Sequence, residues 1–528
     1  MKKPVIIIIT ILMFKAFVIG QNQNLSNGDV FDGEPYLAID PNDTQHLVVA
    51  WMGWIDVFNQ FKIKTKTSFD GGQTWTSVTE LPHTVSNYSS ADPCIAFNAN
   101  GEAFISYIDF TGTTPPVTGG VYLCKSTDGG VSWGSPTAVI NTDYDGPKWP
   151  IDRPWMVIDQ STSGESTAIY LTTFNLNRTE PSFHPYLSFS NDGGNTFSSR
   201  YLDTIGWLAG NLNPFPMCSP AVNNAGVFHG VYPSFVLTQS LSLQAFHVSS
   251  DDGGNTLDHK NIPVQTEPAT TTDYPNAKKA PLLLSDPADD NHLVYLFLGA
   301  DYGNLDVFMI ETANAGIDWS EPLKLNDAPI GNNRMQDMLW GDFDNDGDLV
   351  VSWRDRRNGT DGSYQTASEI WATYRAKDSL NFSPNFQITN ETVAFDVVLE
   401  SAGNDFMCIK MQDDIINTTW GDTRNGKLNI WFQSMTIDGI ILSSQQLSPE
   451  KKLHINIYPN PTTSRVTIAG EKIKSITIYD INSKAVLTES NDSNKQEIGL
   501  DLARLSSGLY LVQVNTSEGI LTQKLVKK

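Results

Sequence analysis

From Glu34 to about residue 440 the apolar residues fall in short runs broken by polar turns, and no stretch repeats at the helical spacing of i, i+3, i+4. Short runs rich in β-branched and aromatic residues and bounded by Gly, Pro, Asn and Asp predict strands. The runs come in pairs. Pro35-Tyr36-Leu37-Ala38-Ile39 turns through Asp40-Pro41-Asn42-Asp43 into His46-Leu47-Val48-Val49-Ala50-Trp51, and Pro93-Cys94-Ile95-Ala96-Phe97 turns at Asn98-Ala99-Asn100-Gly101 into Ala103-Phe104-Ile105-Ser106-Tyr107. A third pair starts at Arg153 and a fourth, less regular, near Met217. The fifth, Pro281 to Tyr295, nearly copies the first; the sixth runs from Met338 to Trp353 and the seventh from Phe406 to Trp420.

A second phrase recurs out of phase with these pairs. Ser68-Phe69-Asp70-Gly71-Gly72-Gln73-Thr74-Trp75 returns as Ser126 to Trp133, as Ser190 to Phe197, and around Asp252-Gly253-Gly254-Asn255-Thr256. Two glycines free to take φ > 0, beside an Asp carboxylate that accepts turn amides, describe a tight β-hairpin, and the closing Trp or Phe can pack beneath it. Decayed copies at Asn314, Asp378 and Asp438 keep successive markers 58 to 64 residues apart. Four short strands per repeat at that period predict an all-β fold, a β-propeller over residues 21–442. Seven blades can be drawn; six, with the irregular fourth unit doing something else, is the alternative.

Length, charge and cysteines then narrow the class. At 528 residues the chain holds one large repeat fold with an appendage. A formal charge of −24, with no basic cluster of useful length, argues against a nucleic-acid partner. Lys2 and Lys3 followed by the apolar run from Val5 to Gly20 have the layout of a secretory signal peptide, residues 1–20. No later run is long enough to span a membrane, so no transmembrane segment is expected in the mature chain. Cys94, Cys124, Cys218 and Cys408 are too scattered for a disulfide framework or a zinc site and read as buried small hydrophobes, with one bridged pair as the alternative.

From His454 the texture changes to alternating strands with their own turns, a small β-sandwich over residues 454–528 behind a linker at 443–453. Tyr458-Pro459-Asn460-Pro461, Ile478-Tyr479-Asp480 and Gly508-Leu509-Tyr510 resemble the C-terminal sorting domain of proteins exported by the type IX secretion system of Bacteroidetes. The resemblance implies passage across the outer membrane, with residues 454–528 engaging the secretion machinery and then removed. The protein is then secreted or displayed on the outer-membrane surface.

The glycine hairpin resembles the Asp-box, or bacterial neuraminidase repeat, of sialidases. The resemblance implies that the boxes join the third and fourth strands of each blade, away from the active site, so that Asp70, Asp128, Asp192 and Asp252 are structural. Loops at the other end of the ring then carry the candidate site. They contain Asp92, Asp301, Arg356 and the residues proposed for catalysis: Asp152, Arg153, Arg334, Asp337, Arg354 and Asp355. Asp152-Arg153-Pro154-Trp155, behind a loop holding Asp143, Tyr144, Asp145, Lys148 and Trp149, suits a sugar, whose apolar face stacks on rings while its hydroxyls take charged hydrogen bonds.

Trp353-Arg354-Asp355-Arg356-Arg357-Asn358-Gly359 recurs as Trp420-Gly421-Asp422-Thr423-Arg424-Asn425-Gly426. Arg357, Asp422 and Arg424, with Trp149, are candidate ligand contacts; because a unique site should not repeat, an Asp and Arg pair pinning each loop is the preferred reading of the motif. Sialidases clamp a substrate carboxylate with three arginines and use a Tyr assisted by Glu with an Asp acid/base. Here no Arg precedes Asp70, so the family's first Arg-Ile-Pro-like motif is missing, and Tyr364, Glu369 and Tyr374 give no assigned Tyr and Glu pair. Asp342-Phe343-Asp344-Asn345-Asp346-Gly347-Asp348 lacks the closing Glu of a calcium loop and reads as a turn, calcium being an alternative and no cofactor being required. The expected function is glycan binding or hydrolysis outside the cell, with a non-catalytic adhesin or binding module for glycan or protein as the alternative.

Overall fold

The computed structural model describes residues 22–55, 60–176, 185–203, 218–234, 244–262, 276–401, 403–439, 442, 455–470, 472–480, 484–491, 495–516 and 519–528. The leader at 1–20, the linker at 443–453 and Met217 lie outside them. The chain divides into two compact units, residues 1–444 and 445–528.

The described residues of the first unit form seven four-stranded antiparallel sheets and no α-helix. Their innermost strands are Asp32–Asp40, Ser89–Phe97, Ile151–Ile158, Ser219–Val222, Leu282–Ser285, Gln336–Phe343 and Cys408–Gln412. Each packs against the next, and the last packs against the first, so the sheets close a ring, the arrangement of a β-propeller. The seventh sheet draws its outer strand from the other end of the chain: Gln23 lies opposite Phe432 and Asn24 opposite Trp431. Asn22 fastens this seam. Its Nδ2 donates to Gln433 Oε1 at 2.7 Å, and its Oδ1 accepts from Arg424 Nη1 at 2.7 Å and from the Asn390 amide at 3.0 Å.

The glycine hairpins follow the third strand of their sheets, as after Gln60–Ser68 and Gly119–Ser126. In the first, Ser68 Oγ donates to Asp70 Oδ1 at 2.9 Å, and Asp70 accepts Thr74 N at 2.8 Å and Thr74 Oγ1 at 2.6 Å. The same set recurs at Asp128, Asp192 and Asp252. These carboxylates are consumed by their own turns. The decayed copy at Asn314 keeps the geometry by exchanging roles: Asn314 Oδ1 accepts Asp318 N at 2.9 Å while its Nδ2 donates to Asp318 Oδ2 at 3.1 Å. Gly72 at φ +83° is required, because a Cβ there would sit 2.4 Å from the Phe432 ring.

All four cysteines are buried and unpaired. In the second unit a three-stranded sheet (Ile455–Tyr458, Arg465–Gly470, Glu497–Asp501) and a four-stranded one (Ala485–Ser490, Ile473–Tyr479, Gly508–Thr516, Gly519–Lys527) share a core of Ile468, Ile476, Ile478, Leu502, Val512 and Leu525. Among the described residues no helix is long and apolar enough to cross a membrane.

Candidate functional site

Four innermost strands carry one irregularity at the same height. Glu34, Asp92, Arg153 and Met338 have φ between 52° and 55°, and the pairing register jumps across each of them. A left-handed residue other than glycine costs about 1–2 kcal/mol, so four at one level are not incidental to the ring. In three cases the bulged residue precedes a proline, Pro35, Pro93 or Pro154, which cannot donate to the ladder the bulge interrupts. The kinks gather Glu34, Asp92, Asp152 and Arg153 where the innermost strands begin. The register puts the glycine hairpins at the other end, since Ser68 pairs with Leu47, which pairs with Ile39.

The carboxyl groups there form a chain. Glu34 is hydrogen-bonded to Asp92, and Asp92 to Asp152. Two carboxylates can share a hydrogen bond only if one keeps a proton. Burial is the main cause: it lifts Glu34 to about 7 and, with the neighbouring negative charges, raises Asp92 and Asp152 well above the usual range. Glu34 and Asp92 are 3 % and 7 % exposed, whereas Asp152 is half-buried. The Arg153 amide donates to Asp92 Oδ2 at 3.1 Å, and its guanidinium Nη2 reaches Asp405 Oδ2 at 2.8 Å. Lys278 Nζ takes the other oxygen of Asp405 at 2.8 Å. Burial opposes ionisation of Asp405, but Arg153 and Lys278 outweigh it and hold its carboxyl below the usual range. A proton-holding chain and an ionised carboxylate thus meet on either side of one arginine.

The other expected residues are used differently. Asp337 is fully buried and accepts from Arg354 Nε at 2.8 Å, Arg354 Nη2 at 2.7 Å, Arg356 Nη1 at 3.0 Å and the Lys278 amide at 3.0 Å. Tyr364 completes the cluster by accepting from Arg354 Nη2 at 2.7 Å and donating to Leu399 O at 2.9 Å. Glu369 bonds Trp371 and Asn358 and not Tyr364. Asp355, also fully buried, accepts the Trp353 indole at 2.8 Å and Arg357 Nη2 at 2.8 Å, and Arg357 stacks 3.8 Å over Trp371. The seventh blade repeats this with Trp420, Asp422, Arg424 and Trp431. Both loops are therefore fastened by the same pin. Trp149 and Arg334 are half-buried; the Arg334 backbone amide bonds Asn332, and its guanidinium has no ion pair among the described residues.

Glu34, Lys278 and Asp405 were not singled out by sequence. Glu34 was within reach, since Glu34-Pro35, Asp92-Pro93 and Arg153-Pro154 all head a repeat with a charged residue before proline. Lys278 and Asp405 stand between repeats with no motif around them. The Asp-rich loop is a turn, with Gly347 N bonding Asp344 O at 3.2 Å. Asp344, Asp346 and Asp348 bring carboxylate oxygens within 4.8 Å of one another, the set that could hold a cation, while Asp342 is drawn to Lys410.

Among solved structures the chain is similar to an α-L-arabinofuranosidase from Fusarium graminearum (12 % identity, 79 % of this chain and 98 % of that one, TM-score 0.41). It is also similar to the NanB sialidase of Streptococcus pneumoniae (12 %, 80 % and 71 %, 0.40) and to a Dyadobacter fermentans protein of unknown function (18 %, 63 % and 93 %, 0.41). A search of curated proteins returns no significant match. Residues 456–528 match the family model for a secretion system C-terminal sorting domain. The tail is such a sorting domain, and it marks the chain for secretion or the outer surface of the cell.

Proposed function

We propose that the ring is a glycoside hydrolase acting on extracellular glycans at the end where the innermost strands begin. The observation that carries the reading is the meeting there of the carboxyl chain from Glu34 through Asp92 to Asp152 with the ionised Asp405, Arg153 lying between. Acid/base cleavage of a glycosidic bond needs one carboxyl that keeps its proton and one that does not. Asp152, the half-buried member, is the acid that reaches substrate, and Asp92 and Glu34 behind it hold the proton supply. Asp405 is the base, and Arg153 orients sugar hydroxyls. A neutral glycan is favoured over a sialoside, because Arg354 and Arg356, which could otherwise clamp a substrate carboxylate, are engaged by Asp337.

The test is turnover of a panel of neutral furanosides and pyranosides alongside sialosides. Cleavage of a neutral glycoside is expected, with Asp152→Asn lowering kcat by about 10²–10⁴-fold while substrate still binds. No turnover across the panel, or turnover indifferent to Asp152→Asn, sinks the reading. A second reading, a glycan-binding module without turnover, is favoured by the near-complete burial of Glu34 and Asp92, which closes two of the three carboxyls to substrate. Glycan-array binding by the wild type and by Asp152→Asn, with hydrolysis by neither, supports it.

A further inference from the structure

At the glycine-hairpin end of the ring the innermost strands enclose a cavity of about 310 Å³. A layer of rings closes its inner end. Trp340 packs edge-on against Tyr36 and against Trp155, with centroids 5.3 Å apart in both pairs, and Phe406 lies 6.1 Å from Trp340. Side chains alternate along a strand, so residues two positions apart face the same way. Two positions beyond Tyr36, Cys94, Trp155 and Trp340 stand Ala38, Ala96, Val157 and Asp342, all in the cavity wall. The alanines leave the space open. Pro41 and Asn345, exposed and also in the wall, place its mouth at the turns between first and second strands.

The charged groups in that wall are Asp342 and Lys410. Asp342 Oδ1 accepts Lys410 Nζ at 2.7 Å, and Oδ2 accepts the Met411 amide at 3.0 Å, so both oxygens are engaged. The ammonium has three N–H groups and bonds Asp342 with one, and the Lys410 side chain stays 30 % exposed. The pair's unused capacity is therefore for donation, and it calls for an acceptor oxygen on an apolar body. An uncharged acceptor is preferred, because the pair is already neutral and a further buried anion carries a large desolvation cost. Asp344, Asp346 and Asp348 on the adjoining turn would also repel an anion.

We infer that this cavity binds a compact, uncharged apolar molecule bearing a carbonyl oxygen, such as an aromatic ketone or amide, with the oxygen on Lys410 Nζ and the body against the ring layer. The volume is at the lower end for small-molecule sites, which run from about 300 to 1,000 Å³. The inference stands on the hairpin end of the ring alone and does not depend on the proposed hydrolase.

Acetophenone is the probe, titrated against the full chain by saturation-transfer NMR. Saturable binding is expected. Lys410→Met, which removes the donor, weakens it about tenfold or more, and Ala96→Leu, which fills the cavity, weakens it at least as much, with thermal melts confirming that each variant is folded. Should Lys410→Met not fold, Ala96→Leu decides. Phenylacetate, the charged analogue, binds more weakly than acetophenone. Failure of acetophenone to saturate, unchanged affinity in the folded variants, or tighter binding of phenylacetate overturns the inference.

Discussion

Replacing Asp337 by Asn separates a structural ion cluster from a catalytic one. Asp337 has no exposure and accepts hydrogen bonds from Arg354, Arg356 and the Lys278 amide, so it ties the sixth blade to the fifth while neutralising two buried guanidinium groups. Asn keeps the shape, loses the charge, and turns one acceptor into a donor aimed at other donors. Removing one partner of a buried ion pair costs about 3–5 kcal/mol, because the remaining charge is left uncompensated. With an unfolding entropy of about 2.1 cal/mol/K per residue over a ring of roughly 420 residues, that loss lowers Tm by about 3–6 °C. The assay is thermal unfolding of the full chain by circular dichroism at pH 7. Burial disfavours the Asp337 charge, but Arg354 and Arg356 outweigh it and hold the group below the usual carboxylate range. Its contribution is therefore complete above about pH 4 and lost only as pH falls through the depressed value. Asp337→Leu combined with Arg354→Met and Arg356→Leu should recover most of the loss, since apolar replacements remove the whole cluster. A melt within about 1 °C of wild type, or loss of turnover in a fully folded Asp337→Asn protein, would refute the structural assignment.

Three further outcomes follow from the ring. Asn22→Ala removes the side chain that holds Gln433, Arg424 and the Asn390 amide at the seam; it should cost about 2–4 kcal/mol and expose the segment around Gln23–Asn24 to limited proteolysis, read by mass spectrometry, and an unchanged cleavage pattern would count against a seam fastened there. His229 and His247 stack as a buried pair, Nδ1 to Nε2 at 3.0 Å, and burial, with Lys260 and, for His247, also His229, lowers them to about 4 and about 3. Both are neutral in the folded chain, so their contribution is full above about pH 6.5 and declines as pH falls toward the folded values, where the unfolded chain binds the protons; His229→Leu with His247→Leu should flatten the acid limb of a Tm against pH curve, and an unaltered limb would show that the pair does not set it. Glu34 works in the opposite sense: its raised value means stability that is full below about pH 4.5 and is lost as pH rises through about 7.

Sequence alone determined the repeat, its period, the hairpin chemistry and the sorting tail. All of these are local: a turn needs its glycines and its Asp within eight residues, a strand needs its own alternation, and the tail's signals lie within its own strands. The repetition of Trp353 to Gly359 at Trp420 to Gly426 even pointed to a structural pin, because a unique site has no reason to recur. Tertiary structure decided which charges meet. Arg153 and Asp405 are 252 residues apart in sequence and 2.8 Å apart in space, and Lys278 joins them from a third position. Nothing local to Lys278 or Asp405 records that encounter, since ring closure brings the starts of distant strands to one axis. Strand pairing within the sixth sheet sets Arg354 opposite Asp337, so that Asp337 neutralises Arg354 and Arg356 inside the protein, and packing of the innermost strands leaves Asp152, at the edge of the buried carboxyl chain, partly exposed.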